Sequence, residues 1–280
     1  MAITGAGGYV GRLLARYFRH QEWDVVALVR HPRVDVPTEF PQRRFVLGEP
    51  IDPDVLAGVR TVVHCAYDLK LTDPEDIQRV NVLGTLRLLD AAAAAKVERV
   101  VLVSSMSAYP GTRQVYGQSK LAAESAVLEA GGAAVRLGLV YGSGWGGMAG
   151  SLRKLLALPV VPLMAANSHQ FTVHEDDAAA GLFEIARADR IPAEAVGLAH
   201  PEPVGFRRLL DGFALQADIR PRFVPVPWSP VHAGMRVAER IGVPLPLRAD
   251  SLLGLARPAP FVPGVEEWDR LGVTLRPFTL

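Results

Sequence analysis

The sequence predicts an α/β fold in which a parallel sheet carries helices on both faces, and three observations predict it. Short β-branched runs alternate with longer stretches of helical periodicity through the first half of the 280 residues, as in strands joined by helical crossovers. Gly5, Gly8 and Gly11 recur at every third position between the first such run and the first helical stretch. From about Pro192 the chain turns proline-rich and irregular, which marks a smaller, partly helical lobe. The expected architecture is a Rossmann-like doubly wound parallel sheet with a small C-terminal substrate lobe.

The first strand is expected at 2–4, a short one, because only three residues separate Met1 from the turn at Gly5. Helical periodicity follows over 10–19. Strands are then expected at 25–29, 61–64, 99–104 and 134–140, with helices over 77–95 and 116–129, wound by right-handed crossovers. Gly144, Gly146, Gly147 and Gly150 predict a mobile loop over a substrate, followed by a helix at 152–158 that prolines end. Residues 171–174 read as a strand. Glu175, Asp176 and Asp177 then suit a helix start, where unpaired amides favour acidic side chains.

An apolar content of 49% is ample for a sizeable core, and a formal charge of +1 gives no electrostatic footprint for nucleic acid or an anionic membrane. Cys65 is the only cysteine, which excludes an intramolecular disulfide and a cysteine zinc cluster and suits a reducing compartment. No metal site is expected. Without a run of about 20 apolar residues or a basic-then-apolar leader, a soluble cytoplasmic protein is expected.

The three glycines of the turn have distinct physical roles. Gly5 allows the tight turn, Gly8 the approach of backbone to a pyrophosphate, and Gly11 close packing of the helix on the sheet. The helix amino terminus then faces the phosphates. The spacing departs from the G-x-G-x-x-G fingerprint. At the end of the second strand, Ala27-Leu28-Val29-Arg30, a carboxylate would accept from a ribose hydroxyl and a guanidinium would meet a 2′-phosphate. Arg30 stands beside that position, with Arg12 and Arg33 near in sequence, which favours NADP(H) over NAD(H). Residues 1–142, with 171–190 returning to them, are expected to form the dinucleotide domain. Residues 143–170 and 191–280 are expected to form the substrate lobe.

Tyr116 and Lys120 lie four apart, on one face of the expected helix, downstream of the apolar run that ends in Ser104-Ser105. That run ends at the carboxyl edge, where open parallel sheets bind ligands. An ammonium beside the phenol is expected to favour its ionised form and make Tyr116 an acid or base near neutral pH, where a free tyrosine with a pKa of about 10 is a poor one.

These residues resemble the extended short-chain dehydrogenase/reductase superfamily, in particular its NAD-dependent epimerase/dehydratase group, over most of the chain. The glycine pattern spans residues 4–11, and the strand-four signature is Val62-Val63-His64-Cys65-Ala66. The helix asparagine is Asn81, the serine strand is 103–109, and the tyrosine-lysine pair is Tyr116 and Lys120. Two later signatures match 136–142 and 173–177. The resemblance implies that Tyr116 exchanges a proton with the substrate oxygen, that Ser105 hydrogen-bonds the same oxygen, and that Lys120 tunes the tyrosine and holds the nicotinamide ribose. Asn81 joins them as supporting a helix distortion or a water chain, or as satisfying local backbone. Cofactor contacts are expected from Gly5, Gly8, Tyr9, Val10, Gly11, Arg30, Cys65, Ala66, Tyr67, Tyr116, Lys120 and Leu139. His64 is expected in the cofactor cleft as a structural donor, and His174 as a tie between strand and loop.

The chain departs from the family in two places. Where many relatives place an aspartate near adenine, this chain departs from the pattern with Gly48-Glu49-Pro50-Ile51-Asp52, and the segment between Ser105 and Tyr116 is shorter than in sugar-nucleotide epimerases and dehydratases. Met106 and Ser107, where dehydratases carry an added acid and base, cannot transfer protons at neutral pH, which disfavours dehydration. The leading expectation is an oxidoreductase moving hydride between the cofactor and a ketone or secondary alcohol. The rivals are a nucleotide-sugar epimerase that retains its cofactor and a non-catalytic dinucleotide-binding sensor or assembly protein. A serine hydrolase is excluded by the lack of a G-x-S-x-G elbow. Trp145, Met148, Arg153, Phe171 and Trp228 are candidate substrate contacts. Helices over 77–95 and 116–130, with small Ala122, Ala123 and Ala126, are the expected homodimer face.

Overall fold

The computed structural model describes residues 1–31, 40–243 and 245–279. Strands β1 (Ala2–Thr4), β2 (Val26–Val29), β3 (Gln42–Arg44), β4 (Thr61–His64), β5 (Arg99–Ser105) and β6 (Ala133–Leu137) lie in one sheet. Three short strands outside it follow in the chain: β7 (Leu139–Tyr141), β8 (Val161–Leu163) and β9 (His169–Gln170). The remaining strands are β10 (Thr172–His174), β11 (Val196–Leu198), β12 (Val204–Gly205) and β13 (Phe223–Pro225). The main sheet has seven strands in the order β11-β6-β5-β4-β1-β2-β3, all parallel. Its strand order reverses beside β1, and the loops after β1 and β4 open there onto one crevice.

The helices are α1 (Tyr9–His20), α2 (Pro74–Ile77), α3 (Leu83–Ala94), α4 (Val115–Glu129), α5 (Gly147–Leu156) and α6 (Glu175–Arg187). The lobe adds α7 (Phe206–Gln216), α8 (Trp228–Arg240), α9 (Ala249–Ala256) and α10 (Glu266–Arg270). Leu14 and Phe18 of α1 pack with Leu182, Phe183 and Ile185 of α6 on one side of the sheet. Leu88, Ala91 and Ala92 of α3 pack on the other.

Three elements differ from the sequence expectation. The single helix expected over 77–95 is α2, a π-turn at Gln78–Val82, and α3. It starts earlier because Asp73 caps the amides of Glu75 and Asp76 and Pro74 occupies the first turn. The strand expected over 134–140 divides at Gly138, where β6 stays in the main sheet and β7 pairs with β10. A side chain at Gly138 would stand 2.8 Å from both the Phe171 carbonyl oxygen and the Ala199 Cβ, so only glycine lets the chain cross there. Val196–Leu198, expected in the lobe, is the edge strand beside β6. Trp268 packs into the same core and donates its indole N–H to the Gly197 carbonyl at 2.6 Å.

The lobe has its own core, in which Leu152, Leu156, Leu209, Leu210, Phe213 and Leu252 are buried together. Arg33 lies outside the described residues. Among the described residues, no helix is long and apolar enough to cross a membrane, and no three metal-ligating side chains converge.

Helix α4 is fixed to the sheet by a buried charge pair. The Glu124 carboxylate accepts two hydrogen bonds from Arg136 of β6, the shorter 2.7 Å, and one from Ser104 of β5. The two charged side chains are only 3% and 14% exposed. Removing one partner leaves the other charge stranded. Glu124→Ala is therefore expected to lose about 3 kcal/mol of stability, read as a lowered urea midpoint; an unchanged midpoint would show that the pair does not anchor the helix.

Candidate active site

Gly5 has φ +66°, and a Cβ there would stand 2.9 Å from the Ala66 Cα and amide nitrogen. The turn after β1 and the loop after β4 therefore touch backbone to backbone. A Cβ on Gly11 would stand 2.3 Å from the Gly5 carbonyl oxygen, which fixes how closely α1 follows the turn. Helix α1 has Gly8 as its N-cap, with no side-chain cap and no acidic residue in its first turn. Its leading amides suit an anionic group, as a pyrophosphate requires. Gly5, Gly8, Tyr9, Val10 and Gly11 line the crevice with Cys65, Tyr67 and Leu139.

Tyr9 reaches across the crevice mouth. Its hydroxyl donates to Glu175 at 2.8 Å, and Glu175 also accepts from the Ser143 hydroxyl and amide, both at 2.7 Å. Burial pushes the Glu175 carboxyl upward, but the hydrogen bonds from Ser143 and Tyr9 outweigh it and hold its pKa below the usual range. A Cβ on Gly146 would collide with the Tyr9 ring at 2.1 Å. Of the glycines expected to form a mobile loop, Gly147 and Gly150 lie in α5, whereas Gly144 and Gly146 let the chain pass against Tyr9, with the Ser143 and Gly144 amides held by Glu175.

Tyr116, in the first turn of α4, faces Ser105 at the end of β5. The Ser105 hydroxyl favours the ionised form of the phenol, and its Oγ accepts from the Ser107 amide at 3.1 Å. Lys120 is buried, donates to the Val103 carbonyl at 2.8 Å, and lies 5.0 Å from the Tyr67 ring centroid and 5.9 Å from that of Tyr116. Tyr67 meets Tyr116 edge-on at 4.9 Å and bonds Ser119 at 2.8 Å.

The expected ionised phenol is corrected by this geometry. Burial, then the neighbouring Tyr67, raise the Tyr116 pKa well above that of a free phenol, and the Ser105 bond only partly opposes them. The Lys120 ammonium is engaged by a backbone carbonyl, and burial lowers its pKa to about 8. Tyr116 therefore keeps its proton at neutral pH. Cys65 is likewise protonated, its thiol pushed up to about 12 by burial.

His64 lies beneath the crevice rather than in it, 1% exposed. The Ala66 amide donates to Thr4 Oγ1 at 3.0 Å and Thr85 Oγ1 donates to the Asn81 carbonyl at 2.8 Å. Thr4 Oγ1 is thus left to donate to His64 Nδ1 at 2.7 Å, and Thr85 Oγ1 to accept from Nε2 at 3.0 Å. Asn81, in the π-turn, accepts the Asp68 amide at 2.7 Å and has a buried Nδ2 with no protein partner. It does not line the crevice, and neither does Ala66, which backs Gly5 from behind. His174 caps α6 through the Asp176 amide at 3.2 Å.

The crevice and the space beside Tyr116 form one chamber of about 830 Å³, lined by the glycine turn, Ser105, Tyr116 and Lys120 and closed by the lobe. Residues 1–159 match the model of the NAD-dependent epimerase/dehydratase family. The chain belongs to the NAD-dependent epimerase/dehydratase family. This makes it an enzyme of the short-chain dehydrogenase type. Among curated relatives, the ceramide reductase of Caulobacter vibrioides is 31% identical over 239 residues, 81% of this chain and 73% of that protein. A putative dihydroflavonol 4-reductase of Synechocystis sp. is 38% identical over 112 residues, 38% of this chain and 32% of that protein. MoeE5 in complex with UDP-glucuronic acid and NAD superposes with a TM-score of 0.74 at 24% identity, covering 99% of this chain and 94% of MoeE5. The UDP-glucose 4-epimerase of Thermus thermophilus in complex with NAD gives 0.66 at 20% identity, covering 91% and 96%. At such identities these two structures speak to the fold.

On this family scaffold the substrate side of the chamber is only partly what the sequence suggested. Met148 and Phe171 line it. Trp145 instead packs on Phe213 at 5.4 Å beneath the Arg153 guanidinium, and Trp228 faces a separate surface pocket. Leu69, Leu71, Leu245 and Leu255 also line the chamber. They went unnoticed because isolated leucines in loops and a short helix carry no periodic signal.

Burial, then the Lys120 charge, hold the His64 pKa at about 3 against an ordinary 6.5. Between those values the unfolded chain binds a proton that the folded chain refuses, so stability falls as pH falls through the window. Urea denaturation at about pH 7 and about pH 5 is expected to show this loss in the wild type and a smaller one in His64→Gln. Equal losses in both proteins would clear the histidine.

Proposed function

We propose that this chain is an NAD(P)-dependent reductase of a ketone, working through Ser105, Tyr116 and Lys120. The observation that carries the reading is the convergence of Ser105, Tyr116 and Lys120 with the glycine turn on the wall of one chamber. The residues fit a nicotinamide dinucleotide: the positive-φ Gly5 turn lies on Ala66, the α1 amino terminus has no side-chain cap, and both open at the strand-order reversal. When bound, that cofactor supplies the hydride. Tyr116 gives its proton to the carbonyl oxygen as that oxygen gains charge, Ser105 donates to the same atom, and the Lys120 ammonium favours the phenolate that remains. Solvent then returns the proton.

Reduction is the proposed direction of reaction, with the neutral phenol as the proton donor. The reductase names of the two curated relatives support it. The proposed ketone carries an apolar portion, because Met106, Met148, Phe171, Leu245 and Leu255 are among the residues that line the chamber. The ceramide reductase relative is consistent with such a substrate.

NADP(H) is the proposed cofactor because the residue just beyond β2 is the exposed Arg30, 3.5 Å from Asp68 and turned to solvent where a 2′-phosphate would arrive. The proposed homodimer would use Leu83 and Leu86 of α3, 40% and 39% exposed, with Ala122 and Ala126. Ala123 is buried against Leu102 and Val127 and is unavailable to a partner.

Two measurements test the reading. With NADPH and a panel of ketones followed by absorbance loss, Tyr116→Phe is expected to lower kcat by at least about 100-fold with cofactor affinity retained; wild-type turnover in that variant would refute the assignment. In separate titrations, Arg30→Ala is expected to weaken NADP binding by about ten-fold and leave NAD binding unchanged. A wild type that binds NAD more tightly than NADP would overturn the cofactor choice.

A further inference from the structure

We propose that Asp250, in the C-terminal lobe, is a positioning residue for Tyr116. Helix α4 begins at Val115, one residue before Tyr116, and its own N-cap Gln114 makes no side-chain hydrogen bond. The Asp250 carboxylate takes over this role from a distant part of the chain. One oxygen accepts from the Val115 amide at 2.9 Å and the other from the Tyr116 amide at 3.1 Å. A negative charge at a helix amino terminus is doubly favourable, since it satisfies unpaired amides and meets the positive end of the helix dipole.

The residues before Asp250 close a clamp around the same tyrosine. Arg248 donates to the Leu69 carbonyl and, at 2.9 Å, to that of Leu71. These belong to the loop after Tyr67, whose ring lies edge-on against Tyr116. The Ala249 amide donates to Glu239 of α8 at 2.8 Å. A Cβ on Gly254 of α9 would stand 2.7 Å from the Gln114 side-chain amide, so α9 approaches the start of α4 as closely as glycine permits. Residues 248–250 thus hold the helix start on one side of Tyr116 and the Tyr67 loop on the other.

Ser105, on the sheet, does not share this attachment. The seating of the lobe therefore sets how the Tyr116 phenol stands relative to the Ser105 hydroxyl, and a substrate filling the chamber closed by that lobe would bear on the same clamp. Asp250 grips backbone and not the phenol, so it acts on the position of the donor and not on proton transfer itself. The inference rests on the reductase reading.

The test compares Asp250→Ala, which removes both acceptors, with the isosteric Asp250→Asn, which keeps one. Leu210→Ala, in the buried core of the lobe, serves as the control for loss of lobe stability. Asp250→Ala is expected to lower kcat by about ten-fold or more with NADP affinity unchanged, Asp250→Asn to fall between it and wild type, and Leu210→Ala to lower Tm while keeping kcat. Amide hydrogen exchange at Val115 and Tyr116 is expected to quicken only in the Asp250 variants. The inference is overturned if Asp250→Ala keeps wild-type kcat, or loses no more than Leu210→Ala does. Should the wild type reduce no ketone at all, the reductase reading fails separately. Unchanged exchange at the two amides in Asp250→Ala would then still overturn the positioning role.

Discussion

The attachment of helix α4 to the sheet is the constraint on which the rest of the site depends. Tyr116 and Lys120 sit in its first two turns, and their partners Ser105 and Val103 sit on β5, so the relation between helix and strand is the relation between the groups that matter. The buried pair of Glu124 and Arg136, with Ser104, ties the middle of the helix to β5 and β6. Its polar atoms are shared among three side chains, which is what allows two charges to be buried there. Lys120 adds a tie to β5 through the Val103 carbonyl. The amides of the helix start are held by Asp250 of the lobe.

That division of labour explains the electrostatics. Lys120 is engaged by a backbone carbonyl and stripped of water, and the resting Tyr116, buried beside Tyr67, keeps its proton. Burial outweighs the charge that spacing alone would credit with tuning the phenol. Beneath it, His64 is kept neutral by the same desolvation and serves as a spacer between Thr4 and Thr85, joining β1, β4 and α3. Polar groups that resemble catalytic candidates thus fall into two classes, one lining the chamber and one locking the strands behind it.

The glycines show a similar split. Gly5 and Gly11 serve backbone contacts that a Cβ would block, as their spacing suggested. Gly142, Gly144 and Gly146 have a different purpose, since they make room for the Tyr9 ring and for the Glu175 carboxylate that binds the loop. Composition alone does not separate a loop that moves from one that must pass close to a side chain.

The sequence by itself determined the parallel sheet, the glycine turn and the placing of Ser105, Tyr116 and Lys120 near one sheet edge, because strand alternation, helical spacing and chain order are local properties. It also held enough ordered motifs to point to the family. Only the tertiary structure decided which side of a buried group faces the chamber. It moved His64 and Ala66 behind the wall, took Trp145 and Trp228 away from it, and brought Leu69, Leu245 and Asp250 to it. It split the strand at Gly138 and returned Val196–Leu198 to the main sheet. The physical reason is that hydrogen bonding and desolvation are set by neighbours far along the chain: Asp250 meets the amide of Tyr116 across 134 positions, a relation that no periodicity encodes.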